Sequence, residues 1–166
     1  LEQFEGYFEL DNVTIEKYDE NDWPVRPEAL KTKRARETQI NKQADVVMLL
    51  HLMGNEFDDE TIKENYAYYE KRTLHGSSLS PSIYSVMGLK VGDDSKAYRY
   101  LRRAAFIDLL NMQGNTREGI HAANTGGVWQ TIVFGFAGVA QREDGMLKVH
   151  PNMPKEWQGL TFRLHY

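Results

Sequence analysis

Two kinds of helical segment alternate along the chain, and this contrast constrains the fold more than any other feature. The first kind is apolar on nearly every side. It begins at Glu37 and returns between residue 122 or 125 and residue 140. In the first of these segments, Ile40, Ala44, Val47 and Met48 recur at helical spacing. Val46, Leu49 and Leu50 add apolar side chains on the other sides of the helix. Because a helix that is apolar all round must be covered all round, this kind predicts helices buried in a larger assembly.

The second kind of segment has one apolar stripe and one polar side. Asp58 or Asp59 caps a helix that runs to Tyr69, a third helix is predicted over 81–88, and Ser95 caps a fourth. The apolar stripe of the fourth helix comprises Tyr98, Leu101, Ala105 and Leu109. Buried helices that alternate with half-exposed ones indicate two layers, as in a helical barrel with an inner and an outer ring.

The character of the chain changes near residue 144. Residues 146–150 and 160–166 alternate between apolar and polar side chains as β-strands do, and Pro151 and Pro154 lie in the connection. The chain also begins without Met and ends within the second alternating run. We therefore expect a mainly α-helical piece of a longer polypeptide that continues into a β domain.

The charge balance argues against several classes of partner. The chain has 20 Lys and Arg residues against 24 Asp and Glu residues, a formal net charge of −4, and both signs are scattered. The sequence has no basic stripe, so nucleic-acid binding is not predicted. The longest apolar run, residues 46–50, is far too short to span a bilayer. The absence of Cys excludes disulfides and thiolate metal sites and fits a reducing compartment.

The most informative motif is TLHGSSLSP, which begins at Thr73 and ends at Pro81. Pro81 suits the first turn of a helix, so Ser77, Ser78 and Ser80 lie in a polar loop that leads into a helix N-terminus. Free backbone N–H groups and the positive end of the helix dipole suit an anion there, phosphate in particular. Serine near a helix start is also a common N-cap, so capping alone is the alternative interpretation.

Two further polar segments precede the apolar helices. Lys42 and Gln43, in NKQAD, precede the first and can bind sugar hydroxyls or an anion; alternatively Lys42 reaches solvent and Gln43 caps a neighbouring group. His121, in EGIHAANTGGVW, precedes the last helix, near Gly126 and Gly127, whose backbone a ligand can approach closely. His121 can hold a phosphate, or it can be a buried structural histidine.

Other chemistry finds little support in the sequence. The HExxH, P-loop, GxSxG and EF-hand signatures are absent, and the five histidines lack the spacing of metal ligands. Glu118 is the only carboxylate in a promising loop, whereas a glycosidase needs two carboxyl groups, or one and an external nucleophile. The sequence therefore predicts no metal site.

Together the segments 42–45, 69–81 and 118–129 and the opening EQFEGYF resemble glycoside hydrolase family 65, in particular its inverting phosphorylases of maltose, kojibiose, nigerose and trehalose. The resemblance runs over essentially the whole chain and keeps the order of the motifs. It implies an (α/α)6 barrel followed by a β-sandwich-like domain. Residues 1–143 would then be the C-terminal portion of the catalytic barrel, and residues 144–166 the start of the C-terminal β domain.

The resemblance also implies a reaction. A Glu general acid protonates the glycosidic oxygen while inorganic phosphate attacks the anomeric carbon from the opposite face, which gives β-glucose 1-phosphate. By motif, Lys42 and Gln43 would bind the glucosyl unit. The phosphate-binding residues would be Ser77, Ser78, His121, Thr125, Gly126 and Gly127. The general acid belongs to a segment upstream of this chain, so we expect the chain alone to be inactive.

The resemblance further implies a cytoplasmic enzyme without a cofactor, which takes an α-linked glucose disaccharide with inorganic phosphate as co-substrate and is commonly a homodimer. Hydrolases of the same family, acting on trehalose or kojibiose, are the nearest alternative; they need a carboxylate base in place of phosphate, and the pair of Ser77 and Ser78 favours phosphorolysis. A non-catalytic helical module for sugar binding or assembly is the second alternative. It predicts that Lys42, Ser78 and His121 need not face one pocket.

Overall fold

Five α-helices and one antiparallel pair of strands are the main regular elements of the computed structural model, which describes residues 1–21, 23–142 and 144–165. The helices are α1 (Asp45–Leu52), α2 (Asp59–Glu70), α3 (Ser80–Val91), α4 (Asp94–Phe106) and α5 (Ala122–Gln130). A π-helical stretch, Thr131–Phe136, continues α5, and β1 (Val139–Gln141) then pairs with β2 (Leu147–Val149). The predicted mainly α-helical class with strands near the C-terminal end is confirmed.

Helices α1, α3 and α5 run in the same direction. The N–H of Gly76, just before α3, donates to the carbonyl of Lys42, just before α1, at 2.9 Å. Gly54, just after α1, lies beside the side chain of Lys90 near the end of α3. In α5, Gly127 packs against Ser82 in the first turn of α3, and Gly135, in the stretch that continues α5, packs against Val86 and Leu89 further along α3. The starts of these three helices therefore lie at one end of the molecule.

Helices α2 and α4 run in the opposite direction to α3. Gly88, late in α3, packs against Ala97 at the start of α4 and against the hydroxyl of Tyr66 in α2. Tyr84, one turn earlier in α3, packs against Tyr100 further along α4, and its hydroxyl lies 2.7 Å from that of Thr73, just past the end of α2. The helices thus alternate in direction along the chain, as inner and outer helices of a barrel would, and the barrel itself stays a prediction.

Within this chain the apolar helices are buried on one face only, and their burial in a larger assembly stays a prediction. Helix α1 buries Val47 and Leu50 completely against α2 and α3, but Leu49 is 41% exposed and Leu52 is 72% exposed. On the α5 side, Trp129 is 45% exposed. Each of these helices therefore packs one face within the chain and presents another apolar face at its surface.

The first helix begins at Asp45, not at Glu37 as the apolar period predicts. Glu37 ends a short 3₁₀ turn, Ala35–Glu37, and the residues between the turn and α1 are not helical. The N–H of Asn41 donates to Arg72 and its carbonyl accepts from Leu74, at 2.7 and 2.9 Å. Pairing with a distant segment satisfies the backbone there, so the local helical pattern has no effect.

The capping and the buried stripe of the fourth helix also differ from the prediction. Asp93 caps α4, since its side chain accepts from the N–H of Lys96, and Ser95 lies inside the helix. The buried stripe comprises Ala97, Tyr100, Leu101 and Ala104. Leu109 lies beyond the helix and is 77% exposed. The third helix continues past Gly88 and ends at Val91, and the next residue, Gly92, has a positive φ of 82° that suits a helix C-terminus.

The C-terminal segment departs most from the predicted elements. The fifth helix does not reach residue 140, because Gly138, at φ 62°, turns the chain and the next residues form β1. Leu160, Phe162 and Leu164 form no strand in the described residues; they pack against a buried cluster around Val133. Their alternation therefore reflects one-sided packing. Glu143, at the predicted domain boundary, and Tyr166, at the end of the predicted strand, lie outside the described residues.

We expect Gly127→Ala to destabilise the protein by about 1–2 kcal/mol, because the new methyl group would lie 2.8 Å from Oγ and 3.0 Å from Cβ of the buried Ser82. Gly126→Ala is the matched control, since nothing lies within 4 Å of the corresponding position and alanine favours a helix by up to ~1 kcal/mol. Urea unfolding of both variants measures the difference. Equal stabilities would contradict the close approach of α5 and α3.

Candidate functional site

The three polar segments singled out in the sequence lie at the starts of the three parallel helices. Lys42 and Gln43 precede α1, Ser77 and Ser78 precede α3, and His121 is the residue just before α5. Two of the segments are in direct contact: besides the hydrogen bond between their main chains, the Lys42 side chain lies over Gly76. The structure therefore gathers the predicted site residues at one end of the helices.

Capping distinguishes these three helix starts from the other two. Helices α1, α3 and α5 have no side-chain hydrogen bond at the N-cap, whereas Asp58 caps α2 and Asp93 caps α4. A helix start without a side-chain cap leaves the positive end of the helix dipole for a ligand, although the first helical N–H of each of these three donates to a nearby carbonyl: Asp45 to Gln43, Ser80 to Ser77 and Ala122 to Ile120. Three such starts at one end favour an anionic ligand there.

The serine loop, residues 76–79, presents two hydroxyl groups at the start of α3. Ser77 and Ser78 are half-buried, and Ser77 Oγ accepts only a long hydrogen bond of 3.4 Å from the N–H of Leu79. Within the described ranges, the Ser78 hydroxyl has no hydrogen-bond partner. Ser80 differs, because it is buried and bonded to His75 at 2.8 Å. Ser77 and Ser78 are thus the hydroxyls that a ligand could use.

His121 is held by an aspartate that the sequence did not bring to attention. Its Nδ1 lies 2.5 Å from Asp108 Oδ1, and its backbone N–H donates to Oδ2 of the same carboxylate at 2.8 Å. The hydrogen bond from His121 lowers the pKa of the Asp108 carboxyl below its ordinary value. Because Asp108 occupies Nδ1, the imidazole keeps Nε2 for a ligand.

The remaining predicted residues lie nearby with different surroundings. Gln43 is exposed and donates to Asp45 at 3.1 Å, while Thr125 and Gly126 are exposed on the first turns of α5. Gly127 faces Ser82, so helix packing accounts for that glycine. Among the described residues, His121 makes no hydrogen bond to Ser77 or Ser78. The segments share one end of the molecule, and the predicted site residues there are exposed or half-buried.

A cleft of about 490 Å³ lies elsewhere, between α4 and the segment near Trp23. Its walls include Trp23, Glu70, Lys96, Tyr100 and Arg103. None of the predicted site residues lines this cleft. Arg103 lies over the Trp23 ring, 4.0 Å from its centre.

His75 is the second residue that sequence reasoning missed. It is 3% exposed, has a positive φ of 51° and stands immediately before the serine loop. In the sequence, His75 stands out only as one of five histidines tested for metal-ligand spacing. No group of three or more metal-ligating side chains is found in the described part of the chain. Its position directly before Gly-Ser-Ser is the signal that could have identified it.

No helix in the described ranges is long and apolar enough to cross a membrane.

Comparison with known proteins identifies the family. The model of the glycosyl hydrolase family 65 central catalytic domain matches residues 1–130, and that of the family 65 C-terminal domain matches residues 141–166. Among curated proteins, the chain is 53% identical to a kojibiose phosphorylase of Caldanaerobacter subterraneus subsp. tengcongensis, over 100% of this chain and 22% of that protein. It is 46% identical to an alpha,alpha-trehalose phosphorylase of Geobacillus stearothermophilus, over 77% of this chain and 17% of that protein.

A solved structure agrees with these relationships. A candidate kojibiose phosphorylase from human microbiome superposes with a TM-score of 0.79 and 36% sequence identity, over 94% of this chain and 21% of the other. The chain thus spans about a fifth of the length of the relatives that it matches.

Proposed function

The chain belongs to glycosyl hydrolase family 65, and we propose that it forms part of the catalytic region of an inverting disaccharide phosphorylase. The observation that carries this proposal is the set of three uncapped helix starts beside Lys42, Ser77, Ser78 and His121. Hydroxyls, a histidine and helix N-termini without side-chain caps suit a phosphate ion, and the hydroxyls of Ser77 and Ser78 are poor bases for activating water at neutral pH.

In the proposed reaction, an oxygen of phosphate forms a bond to the anomeric carbon while the bond from that carbon to the glycosidic oxygen breaks. The leaving oxygen takes the proton of a general acid, a Glu in a part of the larger enzyme outside this chain. Ser77, Ser78 and His121 bind the phosphate, with the backbone of residues 125–127 beside it. Lys42 and Gln43 bind the glucosyl unit that is transferred.

The proposed domain organisation assigns residues 1–143 to an (α/α)6 barrel and residues 144–166 to the start of a β domain. Support comes from the alternating helix directions and from the apolar side chains that α1 and α5 leave exposed, such as Leu52 and Trp129. In the complete enzyme, the neighbouring helices of the barrel cover these side chains. The same helices would close the end where the three polar segments lie.

The first experiment is turnover by the complete enzyme that carries this chain, with a panel of α-linked glucose disaccharides, in the presence and absence of phosphate. We expect β-glucose 1-phosphate only when phosphate is present, and the preferred disaccharide identifies the linkage. Release of free glucose that is indifferent to phosphate would contradict the proposal and indicate a hydrolase of the same family. No turnover of any disaccharide would favour a non-catalytic module.

We expect Asp108→Asn to raise the KM for phosphate about tenfold, because the variant loses the charged partner that orients His121 through two hydrogen bonds. Asp144→Asn is the control: Asp144 pairs with Arg142 at 3.1 Å in an exposed turn near the C-terminus. Steady-state rates at varied phosphate measure both. A KM for phosphate that is unchanged in Asp108→Asn would remove His121 from the phosphate site.

A further inference from the structure

A chain of buried hydrogen bonds ends at the serine loop. Lys96 Nζ lies 2.8 Å from Glu70 Oε2, and the Tyr100 hydroxyl donates to Glu70 Oε1 at 3.0 Å. The same hydroxyl lies 3.1 Å from His75 Nε2, and His75 Nδ1 lies 2.8 Å from Ser80 Oγ. Four elements are joined in this way: the end of α2, the serine loop, the first turn of α3, and α4.

The groups in the middle of these hydrogen bonds are buried, and Glu70 and Tyr100 also line the cleft near Trp23. Glu70 is 4% exposed, and His75, Tyr100 and Ser80 are buried as well. The rings of Trp23, Tyr84 and Tyr100 surround the imidazole at centre-to-centre distances of 5.2, 4.7 and 4.7 Å. Burial, with a smaller contribution from the charge of Arg103, lowers the pKa of His75 to about 3. The imidazole is therefore neutral and carries one ring proton.

The carboxylate at one end fixes the direction of every hydrogen bond in the chain. Paired with the Lys96 ammonium group, the Glu70 carboxylate only accepts, so the single proton of the Tyr100 hydroxyl points to it. The Tyr100 oxygen must then accept from Nε2–H of His75. With its proton on Nε2, His75 accepts at Nδ1, and the Ser80 hydroxyl donates there.

This order of donors determines how His75 and Ser80 act on the serine loop. His75 and Ser80 flank residues 76–79, so the bond between them closes the loop that carries Ser77 and Ser78. Because the proton of the Ser80 hydroxyl points to His75, Ser80 cannot donate it to a phosphate. His75 itself has both ring nitrogens bonded within the protein. It therefore acts through the loop and not on the ligand.

We propose that Glu70, Tyr100 and His75 are positioning residues that hold the serine loop so that the hydroxyls of Ser77 and Ser78 face the phosphate. This inference rests on the proposed function, since it concerns the same phosphate site. It also predicts which substrate is affected: loss of these hydrogen bonds weakens the use of phosphate and does not change the binding of the disaccharide.

Two identical substitutions in the same core test the inference. Tyr100→Phe removes a hydroxyl that joins Glu70 to His75, whereas Tyr66→Phe removes a buried hydroxyl that has no hydrogen-bond partner in the described residues. Both tyrosines are less than 10% exposed and both pack against Tyr84. In the complete enzyme we expect Tyr100→Phe to raise the KM for phosphate about tenfold and to change the KM for the disaccharide less than twofold. Tyr66→Phe should change neither.

The outcomes separate the inference from the proposed function. If the wild-type enzyme cleaves no disaccharide in a phosphate-dependent way, the proposed function fails first. If wild-type phosphorolysis is normal but Tyr100→Phe behaves as Tyr66→Phe does, or weakens both substrates equally, the positioning role is wrong. Should Tyr100→Phe not fold, Glu70→Gln provides the same test. The ¹⁵N resonances of His75 in the wild type add a second readout. A proton on Nε2 supports the proposed order of hydrogen bonds, and a proton on Nδ1 overturns it.

Discussion

Replacing Ser77 and Ser78 together with alanine is expected to lower kcat/KM for phosphate in the complete enzyme by about 10²–10⁴-fold. Each hydroxyl can donate one hydrogen bond to the anion at the uncapped start of α3. A hydrogen bond to a charged group contributes roughly 1.5–3 kcal/mol, so two of them account for a loss of this size. The fold should survive, because Ser77 Oγ makes only its long contact with the N–H of Leu79.

The measurement is the initial rate at varied phosphate and saturating disaccharide, together with the thermal unfolding midpoint. Ser95→Ala is the matched control, since Ser95 is an exposed serine in the first turn of α4, away from the site. It should leave both quantities unchanged. If the double variant kept its phosphate kinetics and lost thermal stability, Ser77 and Ser78 would be ordinary helix-start serines, and the phosphate site would lie elsewhere.

The parts of the fold that could be predicted are those in which local pattern and tertiary structure agree. Asp58 precedes a helix with no competing partner, and it caps α2 as expected. The segment before α1 is the opposite case, because Asn41 pairs with Arg72 and Leu74 across the molecule. A helical period in the sequence carries no information about such a distant partner, so it predicts the start of α1 eight residues too early.

The candidate site shows the same division. Ser77, Ser78 and His121 can be proposed from the sequence because each lies in a polar segment directly before a helix, which is a local signal. The groups that hold them were not found, because their partners are remote in sequence: Asp108 is 13 residues from His121, and Tyr100 is 25 residues from His75. Groups that bind a ligand can leave a motif, whereas groups that orient them are identified by contacts that only the fold creates.

Acidification is expected to destabilise the protein through His75. Burial lowers the pKa of His75 to about 3 in the folded state, below the ordinary value of 6.5 that the unfolded chain has. Between these values the unfolded state binds the proton and the folded state does not, so stability is lost as the pH falls below 6.5. At pH 4.5, two units below the ordinary value, the loss is about 3 kcal/mol.

Urea unfolding at pH 7 and pH 4.5, for the wild type and for His75→Gln, isolates this contribution. Gln can keep a hydrogen bond to Ser80 but takes up no proton, so the variant should lose less stability between the two pH values by about 3 kcal/mol. Asp108, whose pKa is also lowered, titrates in both proteins and cancels in the comparison. Equal losses in the two proteins would mean that His75 accepts a proton in the folded state. The proton order from Glu70 to Ser80 would then fail at acidic pH, because a doubly protonated imidazole cannot accept from the Ser80 hydroxyl.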